Sequence, residues 1–133
     1  MTPEARWSVG EATILRTAAM IQLGMMGFGL VAPGPLFSAW GLPFAEPATF
    51  LRVVLVAWGA LGLALLRVVR LPRGEGRLLV ETIGIVKLAF VMVVVVDILA
   101  RKLPSQAAIG AILDLIFGVA LFRAGRRPVR TPS

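Results

Sequence analysis

A lysine lies near the middle of a stretch that is otherwise apolar enough to cross a membrane, Glu81–Asp97 (ETIGIVKLAFVMVVVVD). Ile85 and Val86 precede Lys87, and a nearly unbroken apolar run follows it as far as Val96. An unpaired ammonium at that depth costs from about 3 to more than 10 kcal/mol. Lys87 therefore needs a partner, and the pair is a candidate for proton transfer or ligand binding.

Several residue types that common catalytic sites use are absent from this 133-residue chain, which has no cysteine, histidine or tyrosine. Their absence excludes disulfides, thiolate ligands, the usual axial ligand of haem or chlorophyll and the usual proton shuttle at neutral pH. The sequence also has no glycine-rich phosphate loop and no nucleophile beside a base. We therefore predict a non-enzyme without catalytic or metal-binding residues. We expect it to hold no cofactor through a side chain and to contact any lipid, quinone or pigment through apolar groups.

Hydrophobic residues make up 58% of the chain, which is more than a soluble domain of this length can bury. Lipid is therefore the expected solvent, and we expect one membrane domain that covers residues 1–133. In a soluble protein the net charge of +7 would favour nucleic-acid binding. Here the arginines lie at the ends of apolar segments, so membrane topology explains the charge and we predict no nucleic-acid partner.

Four apolar stretches are long enough to cross a bilayer core, which takes roughly 20 helical residues. They cover about residues 13–32, 48–69, 78–100 and 105–124. Helix-breaking residues lie between them: Pro33, Pro35, Pro47, Pro72, Gly74 and Pro104. Because the later loops are short, we predict an all-α integral membrane bundle of four helices in up-down-up-down order.

The distribution of basic residues predicts the orientation of the spans. One side carries Arg6, Arg16, Arg67, Arg70, Arg73, Arg77, Arg123, Arg126, Arg127 and Arg130. The other side carries only Arg52, Arg101 and Lys102. Since cytoplasmic loops hold the excess of positive charge, we place both termini in the cytoplasm and the protein in a bacterial inner membrane. Residues 1–12, which include Trp7, are expected to lie on the inner membrane surface, and residues 125–133 to form a basic tail.

Depth along the spans predicts a partner for the lysine. Each helical residue rises about 1.5 Å, so residues equally far from the cytoplasmic boundary share a layer. Nine positions from that boundary lie Lys87, Asp114, Gln22 and Trp58. We therefore predict a polar layer near the midplane in which Lys87 pairs with Asp114 and Gln22 satisfies a remaining donor or acceptor. Gly84, Gly110 and Gly118 lie near this pair and would let the helix backbones approach closely.

The same reasoning predicts two further ion pairs. Arg52 and Asp97 both lie just inside the outer boundary, so we expect them to pair. Glu81 lies near the inner boundary, and its expected partners are Arg16, Arg67 and Arg77.

Two interpretations of the midplane layer stay open. A buried ion pair can fix which helices pack together and in what register, at some cost in stability. Ionisable groups inside membranes also commonly bind ligands or move protons. The absence of histidine and tyrosine would make any proton relay short.

The segment VAPGPLFSAWGLPFAEPATFLRVVLVAWGALGLALL resembles a pattern in small bacterial four-helix membrane proteins, the DoxX-like proteins and related families of unknown function. The features that carry the resemblance are the proline-rich outer loop, the W-G-L-P turn at Trp40–Pro43, and Leu51–Arg52 before a glycine-rich span. The resemblance covers about half the chain. It implies a four-span membrane fold.

Our leading hypothesis from the sequence is a non-enzymatic accessory or scaffolding subunit of a larger inner-membrane complex, such as a photosynthetic or respiratory assembly. The expected partners are membrane lipids and other membrane-protein subunits, which would contact apolar helix faces. The alternative is a small transporter or a membrane protein that binds a quinone or another lipophile at the Lys87–Asp114 layer. A direct Lys87–Asp114 pair in a dry, filled bundle would argue against this alternative. A water-filled cavity that reaches the pair from either side would argue against a purely structural role.

Overall fold

The computed structural model describes residues 5–41 and 49–128, apart from the side chain of Phe50. In these ranges the regular elements are α1 (Val9–Val31), α2 (Pro33–Ala39), α3 (Thr49–Val68), α4 (Arg73–Leu99) and α5 (Ala108–Arg126), with a 3-10 turn (Ser105–Ala107) before α5. Helices α1, α3 and α4, and α5 together with its preceding turn, are long and apolar enough to cross a membrane. The predicted all-α class and four long apolar helices are confirmed, and they indicate a multi-pass membrane protein.

Several predicted features lie outside the described residues. They are the start of the N-terminal segment, the later part of the outer loop with the end of the Trp40–Pro43 turn, and the end of the basic tail with Arg130.

Helix α1 begins at Val9, earlier than the sequence pattern predicted, because Ser8 and Glu11 form a capping box. The Glu11 amide donates to Ser8 Oγ over 3.2 Å, and the Ser8 amide donates to Glu11 Oε2 over 2.9 Å. These two bonds satisfy amides that a helix start otherwise leaves without partners. Trp7, just before the cap, is buried, and its indole nitrogen donates to the carbonyl oxygen of Val68. This bond fixes Trp7 to the end of α3, and the location of the segment on the membrane surface stays a prediction.

Part of the predicted outer loop is the short helix α2. Pro33 occupies its first turn, where a missing amide hydrogen costs nothing. Leu36 is buried beneath it, against Gly29 of α1. A Cβ atom added at Gly29 would lie 2.9 Å from Leu36 Cδ2, so glycine leaves the space that this leucine fills.

The four long helices pack as two pairs, with α1 against α3 and α4 against α5, and the pairs touch each other at fewer places. At one end a buried core joins all four, formed by Leu15, Ala18, Ala19, Leu65, Val68, Val80, Ile83, Leu121 and Ala124, with Trp7 from the preceding segment. We call this the basic end, because Arg67 lies in the last turn of α3, Arg123 and Arg126 lie in the last turn of α5, and α4 begins at Arg73. Glu11 and Arg73 are buried beside the core there. The opposite end carries α2, and we call it the Trp40 end.

Glycines bring the backbones of α4 and α5 into direct contact. A Cβ atom at Gly84 would lie 2.6 Å from the backbone nitrogen of Phe122 and 2.9 Å from the carbonyl oxygen of Gly118. At Gly125 it would lie 2.7 Å from the backbone nitrogen of Glu81. These separations leave no room for a side chain, so the glycines fix how closely the two helices pack.

Candidate ligand-binding site

The structure places Lys87 of α4 beside Asp114 of α5. The Lys87 ammonium donates a hydrogen bond to Asp114 Oδ1 over 2.6 Å. The Lys87 side chain is 4% exposed and that of Asp114 is 16% exposed, so the carboxylate keeps some open space around it. A charge-assisted bond of this length offsets much of the cost of burying either charge alone.

Trp58 and Gln22 complete a cluster around the ion pair. The Lys87 ammonium lies 4.7 Å from the centroid of the Trp58 ring, which is a cation–π distance. The Gln22 amide nitrogen donates to the carbonyl oxygen of Trp58 over 3.3 Å. The structure therefore brings together the residues of the predicted midplane layer, and they come from α1, α3, α4 and α5.

Gln22 also carries a buried acceptor without a partner among the described residues. The residue is 1% exposed, and its Oε1 atom has no hydrogen-bond donor. Exchanging the amide oxygen and nitrogen would not solve this, because the Trp58 carbonyl can only accept and requires the nitrogen beside it. An unpaired buried acceptor of this kind costs about 1–3 kcal/mol.

A cavity of about 330 Å³ borders these polar groups. Its walls are otherwise almost entirely apolar and include the tilted pair of rings of Trp58 and Phe90, whose centroids are 5.5 Å apart. The further lining residues are Ala18, Ile21, Met25, Phe37, Trp40, Leu51, Val54, Leu55, Val94, Ala107, Gly110, Ala111, Leu113 and Phe117. An apolar cavity with a few convergent polar groups is the usual form of a small-molecule site, for which volumes of about 300–1,000 Å³ are typical.

The cavity lies between the two helix pairs, on the Trp40 side of the Lys87–Asp114 contact. Phe37 and Trp40 of the α2 segment line it there, with their rings in an edge-to-face arrangement. Gln106 ties this segment to the turn before α5, because its amide nitrogen donates to the carbonyl oxygen of Ala39 over 2.7 Å. Towards the basic end the buried core joins all four long helices. The site thus has a packed floor at the basic end and a wall that comes from the α2 segment.

The predicted pair between Arg52 and Asp97 is wrong. In the part of the chain that the structure describes, Asp97 has its ionic contact with Lys102, at 4.0 Å. The physical reason lies in the helix pairing. Arg52 is on α3, which packs chiefly on α1, whereas Asp97 is in the last turn of α4, which packs on α5.

The predicted partners of Glu81 are also wrong. Instead of Arg16, Arg67 or Arg77, its carboxylate faces Arg126, with Glu81 Oε1 3.7 Å from Arg126 Nε. Arg126 lies in the last turn of α5, the helix against which α4 packs most closely. The Arg126 side chain is 65% exposed, so this pair contributes little stability.

A buried ionic group at the basic end was missed from the sequence. Arg73 Nη2 lies 3.4 Å from Glu11 Oε1 and donates to the carbonyl oxygen of Ala124 over 2.8 Å. Its guanidinium also lies 5.6 Å from the centroid of the Trp7 ring. The S-x-x-E sequence at Ser8–Glu11 was the available signal, because it predicts a helix start that holds the carboxylate in place.

Within the described ranges, no group of three or more aspartate and glutamate side chains comes close enough to hold a metal ion. The polar groups on the side chains that line the cavity are instead the Lys87 ammonium, the Asp114 carboxylate, the Gln22 amide and the indole N–H groups of Trp40 and Trp58. They suit hydrogen bonding to an organic molecule.

Comparison of the chain with models of protein families, with curated proteins and with solved structures gives no match. The resemblance to DoxX-like proteins therefore stays a prediction from the sequence.

Proposed function

We propose that this membrane protein binds a lipophilic small molecule in the cavity between its two helix pairs. The observation that carries the proposal is that a cavity of about 330 Å³ reaches the buried Lys87–Asp114 pair. An ion pair that only fixed helix register would be best placed in a filled bundle, where nothing competes for its hydrogen bonds. Here the pair instead forms a polar patch on the wall of an apolar chamber.

The small side chains along the cavity also favour this function. Larger side chains at Ala18, Ala107 or Ala111 would reduce the cavity, and the chain has alanine at each of these lining positions. The cavity is partly open towards the outside of the bundle, since its lining residues Val54 and Phe90 are 46% and 44% exposed.

The proposal includes an orientation. The buried core at the basic end gathers residues from the first half of α1 and α4 and the last half of α3 and α5, which supports helices of alternating direction. The excess of arginine at that end supports cytoplasmic termini and a bacterial inner membrane. The cavity would then lie in the outer half of the membrane.

The decisive experiment compares lipophiles that co-purify with three proteins. Wild type, Ala111→Phe and Val119→Phe are purified from membranes in mild detergent, and the bound compounds are extracted and measured by mass spectrometry. Ala111 lines the cavity, whereas Val119 is an exposed residue on the same helix. We expect a compound at near-stoichiometric amounts in wild type and Val119→Phe and its loss from Ala111→Phe. Equal amounts in all three would contradict the proposal.

Folding of the variants is checked by circular dichroism and thermal unfolding. Val54→Phe is a second cavity-filling change, at a lining residue that is 46% exposed and so has room for a larger ring. It should give the same loss as Ala111→Phe.

The accessory-subunit hypothesis is the second candidate, and the exposed apolar surface of α4 favours it. Met92, Val96 and Leu99 are 62%, 55% and 78% exposed, and they suit contact with lipid or with another membrane helix. Native mass spectrometry of the protein from its own membrane tests this function. A stable partner subunit would support it, and a protein that is released alone under the mildest conditions would contradict it.

A further inference from the structure

We propose that the ligand is a neutral lipophile that bears a hydroxyl group, and that Gln22 Oε1 accepts the hydrogen bond from that hydroxyl. This inference rests on the proposed function, because it specifies the chemistry of the molecule in the same cavity. It is drawn from the polar groups of the cavity wall and from their partners.

Gln22 sets the first requirement, which is that the ligand must carry a hydrogen-bond donor. Its Oε1 atom is an acceptor without a donor among the described residues, on a side chain that is almost fully buried and lines the cavity. Its amide nitrogen is held by the Trp58 carbonyl, so the oxygen cannot turn away to find another partner without breaking that bond. The oxygen itself is fully buried, so a ligand O–H group reaches and satisfies this acceptor after a small shift of the side chains around it.

Lys87 and Asp114 set the second requirement, which is that the ligand must carry no net charge. Their opposite charges are already paired at 2.6 Å, so the cavity wall has no net charge to attract an ion. A carboxylate ligand would place a second anion beside Asp114, and an amine would place a second cation beside Lys87. Either would have to break the existing pair, at a cost that a neutral ligand avoids.

The lysine can nevertheless contact the oxygen of a hydroxyl. An ammonium has three N–H donors, of which one serves Asp114 Oδ1, while the ring face of Trp58 lies beside the same nitrogen. A remaining N–H is free to donate to a ligand oxygen. A hydroxyl is both donor and acceptor, so a single group can use Gln22 and Lys87 together.

The rest of the cavity selects the body of the ligand. Trp58 and Phe90 present two aromatic surfaces, and the remaining wall is aliphatic or aromatic. A cavity of about 150 Å³ holds a benzene molecule. A volume of about 330 Å³ therefore has room for a ring with a short alkyl chain. A phenol, a quinol or a cyclic alcohol meets these requirements, whereas a quinone offers only acceptors and leaves Gln22 Oε1 without a donor.

The test uses three probes that differ only at the polar end: 4-hexylphenol, its methyl ether 4-hexylanisole, and hexylbenzene. Binding to the full chain in lipid nanodiscs is measured by isothermal titration calorimetry, with titrations into protein-free nanodiscs subtracted. We expect 4-hexylphenol to bind about tenfold more tightly than the ether, which corresponds to about 1.4 kcal/mol. The ether keeps the oxygen and the ring and carries a methyl group in place of the donor hydrogen.

Two variants test the role of Gln22. In Gln22→Met, which is close to the original in size, the phenol should bind no more tightly than the ether. Thr82→Val is the matched control, because it also replaces a polar side chain on a long apolar helix with an apolar one of similar size. Thr82 is exposed, and its Oγ1 donates to the carbonyl oxygen of Leu78 on its own helix. The control should keep the preference for the phenol.

The outcomes separate the two proposals. If none of the probes binds to wild type, the proposed ligand-binding function fails together with this inference. If the three probes bind equally well, the cavity is a ligand site but the hydroxyl inference is overturned. The comparison in wild type decides between these results even if Gln22→Met does not fold.

Discussion

Lys87 and Asp114 form a 2.6 Å ion pair about one helical turn from the close backbone contact of Gly84 with α5. A Cβ atom at Gly118 would lie only 3.2 Å from Lys87 Cβ, so the absence of a side chain there lets the lysine stem lie flat against α5. The Lys87 ammonium then reaches the carboxylate of Asp114, which lies one turn from Gly118 on α5. Close glycine packing and charge pairing thus support each other, and the pair still borders the cavity.

We predict that Lys87→Met destabilises the protein by about 3–5 kcal/mol, because it leaves the Asp114 carboxylate buried without its partner. The Lys87→Met, Asp114→Leu double variant should recover most of this loss, since it removes both charges. The measurement is the free energy of unfolding in mixed detergent micelles, titrated with sodium dodecyl sulfate. A double variant as unstable as Lys87→Met alone would show that the pair is not what stabilises this layer.

The midplane layer was the part of the site that the sequence could predict. Helix rise is nearly constant, so equal distance from the boundary puts Lys87, Asp114, Gln22 and Trp58 at one depth. In lipid such polar groups have few hydrogen-bonding or ionic partners other than one another. The shared depth and the small number of polar groups within the apolar spans were together enough to identify the residues that contact one another.

The same counting failed for Arg52 and for the partner of Glu81, because depth does not say which helices are neighbours. Helix pairing depends on glycine contacts such as Gly84 against Phe122, which define faces rather than depths. Near the membrane boundary, water and headgroups also compete for each charge, so a nearby cation is not obliged to pair. The cavity was equally inaccessible to sequence reasoning, because its shape depends on how far the two helix pairs separate.

Glycine contacts give a second prediction. Gly84→Ala should destabilise the protein by about 1–3 kcal/mol, because the new methyl group would overlap the backbone of α5. Gly24→Ala is the matched control on α1, where no atom lies within 4 Å of the added Cβ. That change should leave stability unchanged or raise it, because alanine favours helix. A similar loss in the free energy of unfolding for both variants would contradict this account of α4–α5 packing.

The ionic group at the basic end gives a third prediction, in which two arginines near one carboxylate differ in burial. Arg73 lies 3.4 Å from Glu11 Oε1 with a side chain that is 5% exposed, and Arg127 lies 3.9 Å from the same atom with 68% exposure. Arg73→Met should cost about 3–5 kcal/mol, since it leaves Glu11 and the Ala124 carbonyl without their buried donor. Arg127→Met should cost about 0–1 kcal/mol.

These two variants are compared by thermal and denaturant unfolding of the full chain. The prediction is that Arg73→Met lowers the free energy of unfolding much more than Arg127→Met does. Similar losses of stability in the two variants would contradict it, because they would show that the basic end responds to any loss of positive charge.

The turn after α4 gives a fourth prediction. Arg101 has a φ angle of 58°, the left-handed conformation that follows many helix ends and that glycine adopts at lower cost. The Arg101 amide donates to Ile98 and the Lys102 amide to Asp97, so the turn has the two bonds of a Schellman motif. Arg101→Gly should stabilise the protein by about 0.5–1 kcal/mol, measured as a rise in the unfolding midpoint. Arg101→Ala tests the cause: it removes the same charge without relieving the backbone and should give no gain.

The proposed orientation gives the last prediction, and the sequence suits its test because the chain has no native cysteine. Gly74→Cys introduces a thiol at the start of α4, where the site is exposed and has no neighbouring atom within 4 Å. Lys102→Cys introduces one at the other end of α4, in place of a side chain that is 73% exposed. In intact cells, a maleimide that cannot cross membranes should label Lys102→Cys and leave Gly74→Cys unlabelled until the membrane is permeabilised. The reverse pattern would invert the topology and place the cavity in the cytoplasmic half of the membrane.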